Sequence, residues 1–426
     1  MEFFAYLAEL ATAILPLALL AVGVYFGLLL RFFPFLHPGR VLHGLKKGGT
    51  ASFKATFMAL AGTVGVGNIA GVALAISAGG AGAVLWMWLC AFAAMLLKYA
   101  EITLSMAHRP ADGGGGTPQV MRAVGLPRLG SLFALLCLAY TLLVGGAVQA
   151  SAVAECLSDC FSLSPFLSGL VLVGLTLPVI LGGGRRISAL TAKLVPLMCA
   201  AYIAATVAVI VANRAALPGA MAEIMRGAFS PTAAAGGGLG FLSSRALRVG
   251  AARGLMSNEG GCGTAPMAHV TSMEKSPARQ GLFGIVEVFA DTTVICTLTA
   301  LALLTACPTV GANGLALVRL AFSTVFGQTT GMLLSLLLFF FAYATVLCQA
   351  FYGQVCMDSL PRARVASPLF FVAFCAALLL GAIGTPALVW QACDILLAIM
   401  TLCNLFLLIK ERKAILLLTR EEGLLS

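Results

Sequence analysis

A succession of long apolar runs, separated by short polar loops, dictates how this chain can fold. The runs fall at about 9–30, 55–78, 83–107, 131–153, 166–183, 194–212, 231–255, 281–305, 328–352, 367–383 and 387–410. About 20 apolar residues in an α-helix cross the hydrocarbon core of a bilayer. Lipid offers the backbone no hydrogen-bond partner, so runs of this length form helices, which satisfy their N–H and C=O groups internally. Of 426 residues, 60% are hydrophobic and 10% charged, and the mean hydropathy is +1.02. The 26 basic and 16 acidic side chains are too few to cover a water-soluble fold, since soluble proteins are about one quarter charged. The outer surface must face a lipid bilayer. The expected fold class is an all-α polytopic membrane protein with about 11 transmembrane helices.

The basic residues set the direction of the spans. The net charge of +10 and pI near 9.1 come from lysines and arginines in short loops, the distribution that the positive-inside rule produces. No nucleic-acid partner is therefore expected. With the N-terminus outside and the C-terminus cytoplasmic, Arg214, Arg226 and Arg319 lie outside and Lys98 lies within a span. All the other basic residues are then cytoplasmic, including Arg31, Arg40, Lys46, Lys47 and Lys54 of the first inner loop. The opening stretch MEFFAYLAEL lacks the basic segment and small-residue cleavage site of a signal peptide, so its apolar run counts as a span. A multi-pass protein of the cell membrane is expected.

Eleven spans divide into one leading helix and two groups of five. Residues 1–54 hold the leading helix and a basic cytoplasmic loop, 55–212 a first five-helix repeat, 213–410 a second, and 411–426 a cytoplasmic tail. Repeats with an odd number of spans insert in opposite senses, the inverted symmetry common in secondary transporters. The first helix of each repeat is interrupted by glycine, at Gly62–Gly71 (GTVGVGNIAG) and at Ala233–Gly238 (AAAGGG). Such a matched pair points to a transporter's binding site. Each glycine costs a helix about 1 kcal/mol relative to alanine, and Gly62, Gly65 and Gly67 stand close together. Unwinding frees carbonyls for a cation and leaves a half-helix N-terminus that attracts a carboxylate. Thr63 and Asn68 can add side-chain oxygens. The same glycines also suit tight helix packing, since Gly67 and Gly71 are spaced as a small-xxx-small face.

Other residues carry weaker signals. Glu287 and Asp291 lie four apart inside a span, and intramembrane ionisable groups are candidate functional groups. They either bind or relay a cation or hydrogen-bond to neighbouring helices. Lys98 and Glu101, three apart near a cytoplasmic helix end, read as a local ion pair. The glycine-rich stretch 254–266 reads as a structured cytoplasmic loop or re-entrant turn that could act as a gate. Cys156 and Cys160 share a predicted short loop and could pair only in an oxidising compartment. The 13 cysteines show no zinc spacing. No P-loop, dinucleotide fingerprint, H-E-x-x-H pair or G-x-S-x-G elbow is present, so neither an enzyme nor a resident cofactor is expected.

Several longer motifs share one resemblance. Thr63–Gly71, followed by GGAGAVLWMW at 79–88, resembles the signature of the alanine or glycine:cation symporter family. So do RGLMSNE at 253–259, GTAP at 263–266 with Ala268 and His269, RQG at 279–281, EVF at 287–289 with Asp291 and Thr292, and CTLTAL at 296–301. The similarity runs from about residue 50 to 360. Membership implies a LeuT-like fold of two inverted five-helix repeats within the amino acid-polyamine-organocation superfamily. It also implies import of a small neutral amino acid by alternating access, driven by sodium or less often by protons. A sodium ion is the implied coupling ion. Two broken helices within one chain suit a monomer.

By the same resemblance, substrate-binding positions are Thr63, Gly65, Gly67, Asn68, Gln149, Gly237, Gly238, Thr345 and Gln349. Thr345, with Gly62 and Val66, matches the cation site. The chain also departs from the family. Gln349 stands where a tryptophan is usual, Gly238 where a phenylalanine is usual, and Gly146 and Ser151 replace asparagines flanking Gln149. The family's GGPMYY segment reads Gly115-Gly116-Thr117-Pro118-Gln119-Val120. A buried aromatic ring covers about 150–250 Å², so losing two leaves a larger or more polar pocket that favours glutamine or serine. Two other function classes suit parts of the pattern, an amino-acid sensor or non-transporting receptor with a transporter fold, and a channel.

Overall fold

Every one of these apolar runs contains helix in the structure, a computed structural model that describes residues 2–110, 114–229, 245–307, 314–360, 363–384 and 387–425. Among the described residues there is no strand. The helices used below are α1 (Glu2–Leu29), α2 (Thr50–Thr63), α3 (Ala70–Gly79), α4 (Ala83–Ala107), α5 (Pro127–Phe161), α6 (Pro165–Ile180) and α7 (Gly183–Ala212). They continue with α8 (Arg245–Asn258), α9 (Ala265–His269), α10 (Pro277–Ala306), α11 (Leu315–Phe326), α12 (Thr330–Asp358), α13 (Ala363–Ile383) and α14 (Ala387–Lys410). Six helical stretches are long and apolar enough to cross a bilayer: α4, α5, α7, α10, the run Leu315–Asp358 and Leu388–Lys410. A seventh is the bent pair of α2 with Val66–Gly79, and parts of α1, α6 and α13 form shorter apolar helices.

The centre of the fold is α4, which lies along both α8 and α10. Small residues let these backbones touch, the packing that membrane helices use in place of a hydrophobic drive. A Cβ at Gly250 of α8 would lie 2.2 Å from the Ala83 carbonyl oxygen, and one at Gly281 of α10 would lie 2.9 Å from the Tyr99 carbonyl oxygen. Around this centre α12 packs on α5, α14 on α1, α13 on α6, and α7 on α2.

Two helices break in the middle of the molecule. The first break follows Thr63. Val64 N–H makes the last helical bond, to Leu60 O at 2.7 Å, and Gly65 N–H is donated forward to Asn68 Oδ1 at 2.8 Å. A single turn over Val66–Asn68 follows, and the chain re-enters helix bent by 65°. The second break follows Asn258. Glu259, Gly261 and Gly263 adopt left-handed φ of 48°, 81° and 82°, a conformation that glycine takes without strain. The chain then resumes as α9.

The second break corrects the sequence reading of 254–266. That stretch is no cytoplasmic loop: residues 257–270 are all buried. Its polar groups avoid water because other buried groups of the protein satisfy them. The expected break at Gly236–Gly238, including Gly237 and Gly238, lies outside the described residues. Cys156 and Cys160 also sit elsewhere than expected, one turn apart on α5 with both thiols free. Cys160 Sγ lies 3.1 Å from Ser335 Oγ of α12.

Two further irregularities aim side chains at the centre. α5 widens to a π-helical stretch over Thr141–Val148, just before Gln149, and α10 does so over Phe289–Cys296, around Asp291. Such widenings cluster at functional sites.

The close α4–α8 contact yields a test. Gly250→Ala forces the two backbones apart, an overpacking cost of about 1–3 kcal/mol, and should lower the melting temperature in detergent. Gly219→Ala, inside the helix Leu217–Ala228 where a Cβ meets nothing within 4 Å, should leave it unchanged or slightly raised.

Candidate functional site

A cavity of about 430 Å³ opens where the two breaks meet, within the range of small-molecule sites, roughly 300–1,000 Å³. The first break forms one wall, through Gly62, Thr63, Gly65, Val66, Gly67, Ala70 and Gly71. Opposite stand Val148, Gln149, Ser151 and Ala152 of α5 and Thr345 of α12, while Arg253, Met256 and Glu259 approach from α8 and the second break. Glu155, Gly314, Leu315 and Ala316 line one end, and Trp390 of α14 adds an aromatic face. Glu155, Leu315 and Ala316 also border a more exposed groove that includes Asp159 and Arg319. This end is the mouth.

The wall offers complementary polar groups. Gln149 Oε1 is buried without a hydrogen-bond partner, and an unpaired buried acceptor is costly unless a ligand meets it. Thr345 Oγ1 donates to Phe341 O at 3.1 Å and lies 3.5 Å from Val64 O. This places its oxygen against the carbonyls that the break has released. Gly65 has no room for a side chain, since a Cβ there would lie 2.8 Å from Thr345 Oγ1. The first turn of α3 borders the cavity at Ala70 and Gly71, turning the positive end of a helix toward it. Arg253 supplies a formal positive charge and Glu259 a carboxylate.

Of the positions expected from sequence, Gly62, Thr63, Gly65, Val66, Gly67, Gln149 and Thr345 lie together on the wall. Asn68 does not. It is fully buried behind the wall, where it accepts from Gly65 N–H and donates to Ser257 Oγ at 2.8 Å and Asp291 Oδ1 at 2.7 Å. Gln349 does not line the cavity either; its Nε2 donates to Glu259 Oε1 at 3.2 Å, and its stem packs against Gly145, where a Cβ would lie 2.3 Å away. Arg253, Met256 and Glu259, which sequence reasoning left out, are spaced by three along one motif. That period would have put them on one helix face had the stretch been read as helix.

Beneath the cavity lies a dense polar layer. Glu259 accepts from Tyr140 Oη at 3.0 Å and Thr264 Oγ1 at 2.6 Å. Asp291 also accepts from Ser257 Oγ and Thr292 Oγ1, each at 2.8 Å. Lys98 is not paired with Glu101, as the sequence suggested, because their positions on α4 face different neighbours. Its Nζ donates to Glu287 Oε1 and Asn258 O, each at 2.6 Å. Glu101 Oε2 instead accepts from Gly263 N–H at 3.0 Å and Asn404 Nδ2 at 2.7 Å. Both are fully buried, not near a wet helix end. Of the two roles open to Glu287 and Asp291, each makes the interhelical hydrogen bonds.

Comparison with known proteins decides the family. The model of the sodium:alanine symporter family matches residues 2–420. The chain belongs to that family. The symporter is 36% identical over 373 residues to the sodium/alanine symporter AgcS of Methanococcus maripaludis, which covers 84% of this chain and 81% of that protein. It is 32% identical over 399 residues to the amino-acid carrier protein AlsT of Bacillus subtilis, over 92% of this chain and 85% of that protein. Among solved structures, MhsT in complex with L-phenylalanine is similar with a TM-score of 0.55 at 13% identity, over 84% of this chain and 88% of that one. The fold is LeuT-like. The symporter is thus a multi-pass membrane transporter and not an enzyme.

Asn68 and Thr345 act differently in this geometry, and their variants should differ. Asn68→Ala leaves Gly65 N–H and part of the Asp291 carboxylate unpaired, a loss of about 1–3 kcal/mol per buried group. It should therefore lower both transport and thermal stability in detergent. Thr345→Ala should lower transport with thermal stability nearly unchanged. Equal melting temperatures for the two variants would contradict these assignments.

Proposed function

We propose that this symporter imports a small neutral amino acid down a sodium gradient, with the solute held at the paired helix breaks. The observation that carries the reading is the cavity wall itself, where an unpartnered acceptor, a half-helix N-terminus and a threonine hydroxyl among freed carbonyls converge. A zwitterion suits this set. Its carboxylate meets the first turn of α3 and Arg253, and its ammonium meets Gln149 Oε1 and Glu259. Sodium is the coupling ion, held by Thr345 and backbone oxygens of the Gly62–Val66 turn. Thr63, Gly65 and Gly67 shape the solute's seat, Asn68 and Gln349 support it from behind, and Gly237 and Gly238 complete it from the second repeat.

The repeats span 55–212 and 213–410, after a leading helix within 1–54 and before a cytoplasmic tail at 411–426. Eleven spans cross the cell membrane with the N-terminus outside, which puts the cavity mouth at Glu155 and Leu315 on the outer face. A monomer suffices, because both breaks belong to one chain. The cavity volume and the polar groups of Gln149, Ser151 and Glu155 favour a side chain longer and more polar than that of alanine, such as serine or glutamine.

Proteoliposomes test the reading. Uptake should saturate, stop when the sodium gradient is collapsed, and be inhibited by serine or glutamine at concentrations no higher than alanine requires. If alanine and glycine outcompete every larger amino acid, the substrate assignment is wrong; if uptake follows a proton gradient without sodium, the ion assignment is wrong. Thr345→Ala should raise the sodium concentration for half-maximal uptake by about tenfold, the equivalent of about 1.4 kcal/mol.

A further inference from the structure

The polar layer beneath the cavity is short of positive charge. Among the described residues, four fully buried carboxylates (Glu101, Glu259, Glu287 and Asp291) share one buried lysine, Lys98. Buried charges persist when they are paired, so this layer is a place where a proton can be gained. One group in it is built to take one. His269, at the end of α9, is fully buried. Its Nε2 lies 3.1 Å from Glu287 Oε2, and its Nδ1 lies 2.8 Å from Gln280 Nε2.

The hydrogen-bond inventory of these three side chains allows two arrangements. Glu287 also holds Lys98 and acts as an ionised acceptor, so His269 Nε2 must carry a hydrogen. With the Gln280 amide as it stands, its NH₂ donates to a bare Nδ1 and the imidazole is neutral. In that state Gln280 Oε1 is buried with no partner. Turning the amide by 180° brings Oε1 to Nδ1 in the same space. That contact is a hydrogen bond only if Nδ1 is protonated too, which makes His269 an imidazolium. One proton therefore replaces the amide's donation to Nδ1 by an Nδ1–H···Oε1 bond, with the amide NH₂ moved to where Oε1 stood, and gives Glu287 a second cationic partner.

We propose that His269 is a proton-binding site of the symporter, and that its protonation fastens α9 to α10 and α4 and holds the side opposite the cavity mouth closed. Elements packed against α9 frame the charge balance. α4 presents Lys98 and Glu101; α10 presents Glu287; α12 contributes the buried Tyr352, and its Asp358 lies on the exposed side. α2 carries Lys54, which is exposed. α9 directly follows the second break, so any opening beneath the solute must part α9 from these neighbours. Protonation opposes that parting, and uptake falls as the pH falls.

The inference rests on the transport reading only for its consequence, and its test has two arms. In the first, uptake is measured under a fixed sodium gradient with the pH clamped equal on both faces, from pH 8 to pH 5.5. The native symporter should lose about threefold or more of its rate between pH 8 and pH 5.5. His269→Gln, which keeps a donor and an acceptor and cannot charge, should bring that ratio close to one. An unchanged ratio in this variant, or a flat native profile, overturns the proposal.

The second arm needs no transport. In a variant with His37, His43 and His108 changed to Gln, ¹⁵N labelling of histidine reports His269 alone. The spectrum should show a neutral Nε2–H imidazole at pH 8 and both nitrogens protonated at pH 5.5. One unchanged tautomer at both values overturns the proposal, even if no amino acid is transported. Loss of uptake for all amino acids with a normal ¹⁵N titration would overturn the transport reading and leave the proton site standing.

Discussion

In hydrocarbon a backbone N–H or C=O without a partner costs several kcal/mol, and this symporter breaks two helices at its centre all the same. What makes the breaks tolerable is one side chain on each side of the problem. Asn68 caps Gly65 N–H from within its own turn and reaches across to Ser257 and Asp291. Glu101 accepts the Gly263 N–H from a different helix. The broken segments are thereby held to one another and to α4 and α10, so the cavity between them has fixed walls. Function follows from that arrangement: a few backbone groups are left free toward the cavity, and the rest are spoken for.

The cost moves outward from the breaks as buried charge. Glu101, Glu259 and Asp291 each complete the bonding of an irregular backbone or of a polar neighbour, and Glu287 anchors Lys98. A soluble protein could hydrate such groups. Here Glu259 reaches the cavity wall and the others are packed behind it, in a membrane protein, where unpaired charge is expensive and marks working parts. In the proposed cycle, the same layer that stabilises the breaks links the cavity to the elements that part for release, and His269 sits between α9 and α10.

Much of this was legible in the sequence because the governing signals are local. Apolar length located the helices, and the glycines at 62, 65 and 67 located the first break to within a residue or two. The break after Asn258 reads as a loop for a physical reason. RGLMSNEGGCGTAP looks like a wet loop because its polar groups find most of their partners in tertiary structure, on Tyr140, Asn404 and Thr292. Lys98 was misassigned on the same ground, since a pairing within one helix is visible in sequence and a pairing with Glu287, 189 residues away, is not. Asn68 and Gln349, expected in the wall, stand behind the cavity wall instead, a distinction that side-chain direction alone decides.

The central claim is that the solute rests between the two breaks, and a structure determined with the transported amino acid bound tests it most directly. The account predicts density for the solute within reach of Gly65, Gln149 and Thr345, with its carboxylate toward the first turn of α3. A solute bound instead in the outer groove at Asp159 and Arg319, with the cavity between the breaks empty, would contradict it.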